Sequence, residues 1–153
     1  VIVICDEVLF AGDLVFAGST PLAIGGTVRG WLAALEWLTA GTYAQSIRHM
    51  VPGHGPVLDD PKAAITHLRR YFDWLLRVTA DSQEPAEDDY RRLVDQARAA
   101  HPDWLAPERH AANLRAAYAE QAQRYLDTAG VVEAMLEING GKIAVETPPF
   151  SQD

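Results

Sequence analysis

The sequence predicts an α+β fold in which a few strands form one sheet and a helical region follows. Three observations lead there. β-branched residues and glycines crowd the segment from Val1 to Pro56. Turn residues punctuate that segment every few positions, and helical periodicity enters it once. Beyond Pro56 apolar residues recur three and four apart almost throughout. The chain therefore divides into residues 1–80, which carry the sheet, and residues 81–153, a helical extension packed on the same domain.

Taken in order, Val1 to Ala11 reads as two short apolar strands joined at Asp6-Glu7, a hairpin running into a loop. Leu14 to Phe16 adds a few strand residues, after which Gly18-Ser19-Thr20-Pro21 and Gly25-Gly26 keep the backbone irregular. Thr27 fits an N-cap, and Val28, Trp31, Leu32, Leu35 and Leu38 follow at helical spacing until Gly41 ends the helix. Gln45 to Val51 returns as a strand. Asp60 then caps a helix with Pro61 at its first position, and Ile65, Leu68, Tyr71, Phe72, Leu75 and Leu76 form its apolar stripe through about Thr79. The acidic stretch from Ser82 to Asp89 opens the next helix, which carries Tyr90, Leu93, Val94 and Ala97 and ends near His101-Pro102. A further helix is expected from about Pro107 to Leu126, and a short one from Val131 to Ile138 is closed by Gly140-Gly141.

This inventory is lopsided. Three or four strands give a sheet that the helices cover on one face only; if the sheet is one half of a sandwich, its other face awaits strands that the sequence does not supply. The chain also opens on Val1, directly inside a strand, which reads as a fragment, a processed product or a sequence whose earlier half is not included.

With 153 residues, 48% of them apolar, the chain has one domain's worth of material. A net charge of −8 and a pI near 5.0 argue against nucleic acid or an anionic membrane as partner, because the 13 basic residues form no stripe. No stretch reaches the roughly 18 apolar residues of a membrane span, and secretion is not expected, because the apolar start has no basic flank and no small-residue cleavage pattern. Cys5 is the one cysteine, so no internal disulfide forms; a reducing, cytoplasmic compartment fits, with Cys5 buried as a small hydrophobe.

The chemical residues are Asp13, after Phe10-Ala11-Gly12, and His54, within Pro52-Gly53-His54-Gly55-Pro56. An imidazole on a tight Gly/Pro turn at a strand's end, with a carboxylate on a second such turn, is how a fold presents two metal ligands to one cleft. The bland readings are a turn aspartate bonded to its own backbone and an exposed loop histidine. The glycines on both sides of His54 leave its ring unshielded, a costly arrangement unless the ring has a ligand. Carboxylate plus imidazole suits Zn(II), Fe(II) or Mn(II), and no thiolate lies near to make a structural zinc site. A working centre takes three or more protein ligands, so two leave the set incomplete.

His49 alternates with Ile47 and Val51, which fits either a half-buried packing residue or a partner supporting the metal ligands. His67, beside Arg69 and Arg70, reads as solvated, and His101 and His110 at helix boundaries receive no chemistry. Ser19 and Thr20 follow Asp13, but no Gly-x-Ser-x-Gly elbow accompanies them, so nucleophilic catalysis by a side chain is set aside. Gly25-Gly26-Thr27 before Val28 is the nearest approach to a phosphate-cradling loop.

Val8 to Phe16 with its Gly12-Asp13, a helix near Trp31 to Leu38, and Met50-Val51-Pro52-Gly53-His54-Gly55-Pro56-Val57, in that order, resemble the second half of a metallo-β-lactamase-fold hydrolase. The resemblance covers roughly Val1 to Leu76. It implies an αββα sandwich lacking its first sheet and helices, with Asp13 bridging two metal ions, expected to be zinc, and His54 binding the second. The family's His-x-His-x-Asp-His signature and one further histidine would lie upstream of Val1.

Gly18-Ser19-Thr20-Pro21, Gly26-Thr27-Val28 and Trp31 resemble the metallo-β-lactamase-like cyclases and thioesterases of bacterial aromatic polyketide pathways. So does the extension, with Trp104-Leu105-Ala106-Pro107-Glu108-Arg109, Asn113-Leu114 and Ala117-Tyr118-Ala119-Glu120. That likeness implies an acyl-substrate pocket lined by Ser19, Thr20 and Leu22, and metal-assisted hydrolysis or carbonyl activation. The expected partner is the N-terminal half of the same protein, or a second copy pairing its sheet. The competing reading is a metal-free binding module that associates with another protein through the open sheet.

Overall fold

A computed structural model describes residues 2–143 of the chain. Val1, where the first strand is expected to begin, and residues 144–153, the tail of the expected extension, lie outside them. The fold is α+β: strands β1 (Val3–Cys5), β2 (Val8–Phe16) and β3 (His49–His54) form one sheet in that order. Among the described residues five helices accompany it: α1 (Val28–Ala40), α2 (Pro61–Val78), α3 (Glu87–Ala100), α4 (Arg109–Gln121) and α5 (Thr128–Ile138). Among the described residues no helix is long and apolar enough to cross a membrane.

The hairpin forms where expected, with Val3 opposite Phe10 and Cys5 opposite Val8. β2 then pairs with β3 in parallel, and a parallel pair requires a crossover, which α1 provides. Thr27 caps α1 by accepting from the Gly30 amide, and Asp60 caps α2 by accepting from Ala63 with Pro61 in the first turn. The strand expected from Gln45 begins only at His49, because Thr42–Gln45 makes a short 3-10 turn after α1. α4 stops at Gln121 rather than Leu126, and Gln123 with a φ of 53° turns the chain away.

The core lies on one side of the sheet. Leu9, Ala11, Val15 and Met50 meet Val28, Leu35 and Leu38 of α1 and Ile65, Leu68, Phe72 and Leu75 of α2, all buried in one cluster. The same cluster continues through Tyr90 and Val94 into Ala111, Leu114 and Ala117 of α4 and Ala134 of α5. Alanines along α4 let its neighbours approach closely, and nine of its residues are buried. On the other side of the sheet Phe10 stands between Val3 and Val51 in register. Val3 is 53% and Phe10 44% exposed, so this apolar row faces solvent uncovered by the described residues. Cys5 is exposed rather than buried, because β1 is an edge strand with both faces open.

α4 also holds the long loop between β2 and α1. Asn113, fully buried, accepts from the Ala23 amide at 2.8 Å and donates to the Pro21 carbonyl at 2.8 Å. Arg109 donates to the Thr20 carbonyl, and Glu120 accepts from the Val28 and Arg29 amides at the start of α1. A carboxylate there complements the positive end of the helix dipole. Asn113→Ala strands a buried donor and a buried acceptor, at about 1–3 kcal/mol each. Chemical denaturation should show the variant about 3 kcal/mol less stable, and a loss below 1 kcal/mol would contradict this role of the loop.

Candidate functional site

Parallel pairing brings the carboxyl ends of β2 and β3 to the same end of the sheet, where α/β sheets gather their ligands. Asp13 lies near that end of β2, and His54 is the last residue of β3. Asp13 does not follow the strand in a loop, as its sequence context suggests. Gly12 takes a left-handed φ of 52°, the β2–β3 register shifts on either side of it, and the ladder resumes at Phe16 opposite His54. A glycine bulge of this kind re-aims the next side chain without ending the strand.

The approach of the two strands is set by glycine. A Cβ on Gly53 would lie 2.2 Å from Asp13 Oδ1, 2.6 Å from the Gly12 carbonyl carbon and 2.7 Å from the Asp13 nitrogen. One on Gly55, whose φ is 96°, would lie 2.0 Å from the Ala17 carbonyl oxygen. No other residue fits either position without displacing backbone. His54 thus sits between two glycines demanded by packing against β2 and the residue after it.

The result is convergence. His54 Nε2 stands 3.7 Å from Asp13 Oδ1. That is beyond hydrogen-bond range and close to the roughly 3.4 Å that separates donors on a tetrahedral cation with ~2.1 Å bonds. The His54 ring is fixed by stacking on buried Phe16, with centroids 4.5 Å apart and planes 10° off parallel. The Ala17 amide bonds the His54 carbonyl at 2.9 Å. Both side chains are exposed, so solvent and an added ion reach them. Among the described residues no group of three or more His, Cys, Asp or Glu is arranged to hold a metal ion. The pair fits part of a metal shell, and the described residues do not complete it.

A groove of about 500 Å³ opens beside Asp13, walled by Leu14, Leu22, Gly25, Gly26 and Trp31. Of Ser19, Thr20 and Leu22, Leu22 lines this groove. Ser19 and Thr20 do not line it: they are buried where Ser19 forms an isolated parallel bridge with Leu105, through Thr20 N to Leu105 O at 2.9 Å and Leu105 N to Gly18 O at 3.0 Å. The Thr20 hydroxyl has no hydrogen-bond partner among the described residues. His49 is exposed and bonded to Asp59 at 2.8 Å. Five residues along a strand put it about 16 Å from His54, too far to support that ring.

His67 is exposed as expected, yet it borders a cluster that sequence reasoning missed. Its ring centroid lies 5.1 Å from that of His101, which stacks on Trp104 at 3.9 Å. His110 is fully buried, and its Nδ1 is 3.0 Å from the Tyr71 hydroxyl. Tyr71 accepts from Asn113 at 2.9 Å, which directs its own proton to His110 Nδ1 and assigns the His110 proton to Nε2. That Nε2 has no partner among the described residues. Burial first, and the neighbouring His101 and Arg98 next, lower the His110 pKa to about 3; burial and then His67 lower that of His101 to about 4. Burial likewise pushes the Tyr71 phenol up, so it stays protonated. The periodicity of α2 marked Tyr71 as core, but nothing local marked its partners on the α3–α4 loop and on α4.

No protein-family model matches the chain, and no curated protein matches it.

The histidine cluster makes stability depend on pH with a fixed sign. Both folded-state values lie below the ordinary ~6.5, so the unfolded chain binds protons first as pH falls. Stability is then fully present above about pH 6.5 and declines toward pH 4, by up to about 1.4 kcal/mol per pH unit for each ring, less for partly exposed His101. Denaturant midpoints at pH 7, 6 and 5 should fall steadily, and fall less steeply in His110→Gln. A midpoint independent of pH over that window would contradict the burial of neutral rings.

Proposed function

We propose that this chain contributes Asp13 and His54 to the metal centre of a metallo-β-lactamase-fold hydrolase or cyclase, with other ligands supplied by polypeptide that covers the open face of the sheet. The observation that carries the proposal is the 3.7 Å approach of Asp13 to His54 across glycine-gated parallel strands. Two residues 41 positions apart meet at a sheet end through a bulge at Gly12 and a stacked ring on Phe16. A turn aspartate and a loop histidine need none of that.

In this reading Asp13 offers a carboxylate that can serve one cation or bridge two, and His54 offers a neutral imidazole whose direction Phe16 sets. A bound zinc, iron or manganese ion would supply Lewis acidity, polarising a carbonyl and activating water. The groove beside Asp13 would receive the acyl part of a thioester or ester, and the finer proposal, a polyketide cyclase or thioesterase, rests on the resemblance of residues 18–31 and 104–120. The row of exposed Val3 and Phe10 beside half-buried Val51 supports a covering segment, and it equally suits a metal-free module that binds a protein there.

Metal content separates the two readings. The protein isolated together with whatever polypeptide covers its sheet should carry bound metal and hydrolyse thioesters. Changing a residue that merely supports a ligand costs about 10–100-fold in metal affinity, so Asp13→Asn and His54→Ala should each cost at least that much while helix content stays constant. Absence of metal from the covered wild-type protein, or full metal and activity in either variant, would rule the assignment out.

A further inference from the structure

We propose that the groove beside Asp13 is a binding site for a bulky apolar acyl group, and that Gly25 and Gly26 set the size it accepts. The proposal rests on the reading of Asp13 and His54 as the reacting end, because it assigns the groove to the part of the substrate that does not react.

The groove has a volume of about 500 Å³, inside the ~300–1,000 Å³ range of small-molecule sites. Among the described residues Asp13 is the one charged side chain that lines it, and the remaining wall is Leu14, Leu22, Trp31, Ala34, Thr27 and glycine. Trp31 already donates its indole N–H to the Leu14 carbonyl at 2.9 Å, so what it offers a ligand is carbon. Its ring is backed by Phe72, with centroids 4.9 Å apart, and by Phe16 at 6.1 Å, the same Phe16 on which His54 stacks. One aromatic residue thus supports both the apolar wall and the candidate ligand.

Gly25 and Gly26 differ in kind from Gly53 and Gly55. A Cβ at either would meet nothing within 4 Å, and neither has a positive φ. Crowding does not demand these glycines, nor does backbone conformation, yet each costs conformational entropy on folding. Both line the groove and both are exposed, so a side chain at either has open space to occupy at its rim. The loop that carries them is held on both sides, by Asn113 at Pro21 and Ala23 and by Glu120 at Val28 and Arg29. The site is therefore formed before a ligand arrives, which lowers the ordering cost of binding.

The test is amide and indole NMR of the full chain titrated with acetate, octanoate and 2-naphthoate, each a carboxylate differing in apolar bulk. Octanoate and 2-naphthoate should move the Trp31 indole N–H and the Gly25 and Gly26 amides, with acetate at least about tenfold weaker. Gly26→Leu, whose side chain has open space to enter, should weaken the two larger probes by about tenfold or more while leaving the rest of the spectrum in place. Shifts at Val3, Phe10 and Val51 instead, equal response to acetate, or unchanged binding in Gly26→Leu would overturn the proposal. Binding in the groove by the chain, with no metal carried by the covered wild-type protein, would sink the catalytic reading alone; metal in the covered protein with no groove shifts would sink this one alone.

Discussion

The whole site depends on how closely β3 can lie against the bulge of β2, and that distance is set where Gly53 passes Asp13. A single added carbon at residue 53 would collide with the Asp13 carboxylate and with the backbone of Gly12 and Asp13 at once. Everything downstream follows from that contact. His54 ends the strand one residue later, lies flat on Phe16, and has its Nε2 turned toward the carboxylate. Gly55 then repeats the device against Ala17, so the chain departs without lifting the imidazole off its support.

The helical region serves this sheet end through α4. Three of its polar side chains are spent on the loop after β2 and the start of α1: Arg109 at Thr20, Asn113 at Pro21 and Ala23, Glu120 at Val28. Each bond satisfies a backbone group that would otherwise cost free energy in a crowded interior. The loop would be free to move without them, and the groove wall with it. The hydrophobic cluster running unbroken from Leu9 to Ala134 explains why the helices hold this position rather than swinging as a separate unit.

Local chemistry was readable wherever it acts over one helical turn or one strand. Thr27 and Asp60-Pro61 cap the helices that they announce, the stripe from Ile65 to Leu75 is buried, and the hairpin turns at Asp6-Glu7. The glycines around His54 were legible as unusual, although their cause, the clash each averts, needed the neighbouring strand. Other features were hidden because their partners are remote. Gly12 looks like the end of a strand unless β3 is present to continue the ladder past it. His110 looks like a boundary residue until Tyr71, 39 positions away, comes to meet it. Ser19 and Thr20 read as loop residues open to a ligand, and only the pairing with Leu105 buries them. Cys5 sits in an apolar run, yet an edge strand gives it nothing to pack under.

The central claim is that Asp13 and His54 act on one cation. It is tested most directly by titrating the chain with Zn²⁺ while following the His54 ring nitrogens and the Asp13 carboxyl carbon by NMR. The account predicts that both signals move with a common midpoint, that His101 and His110 stay still, and that Asp13→Asn shifts the His54 midpoint to higher zinc. Separate midpoints for the two groups, or a His54 response indifferent to Asp13→Asn, would contradict it.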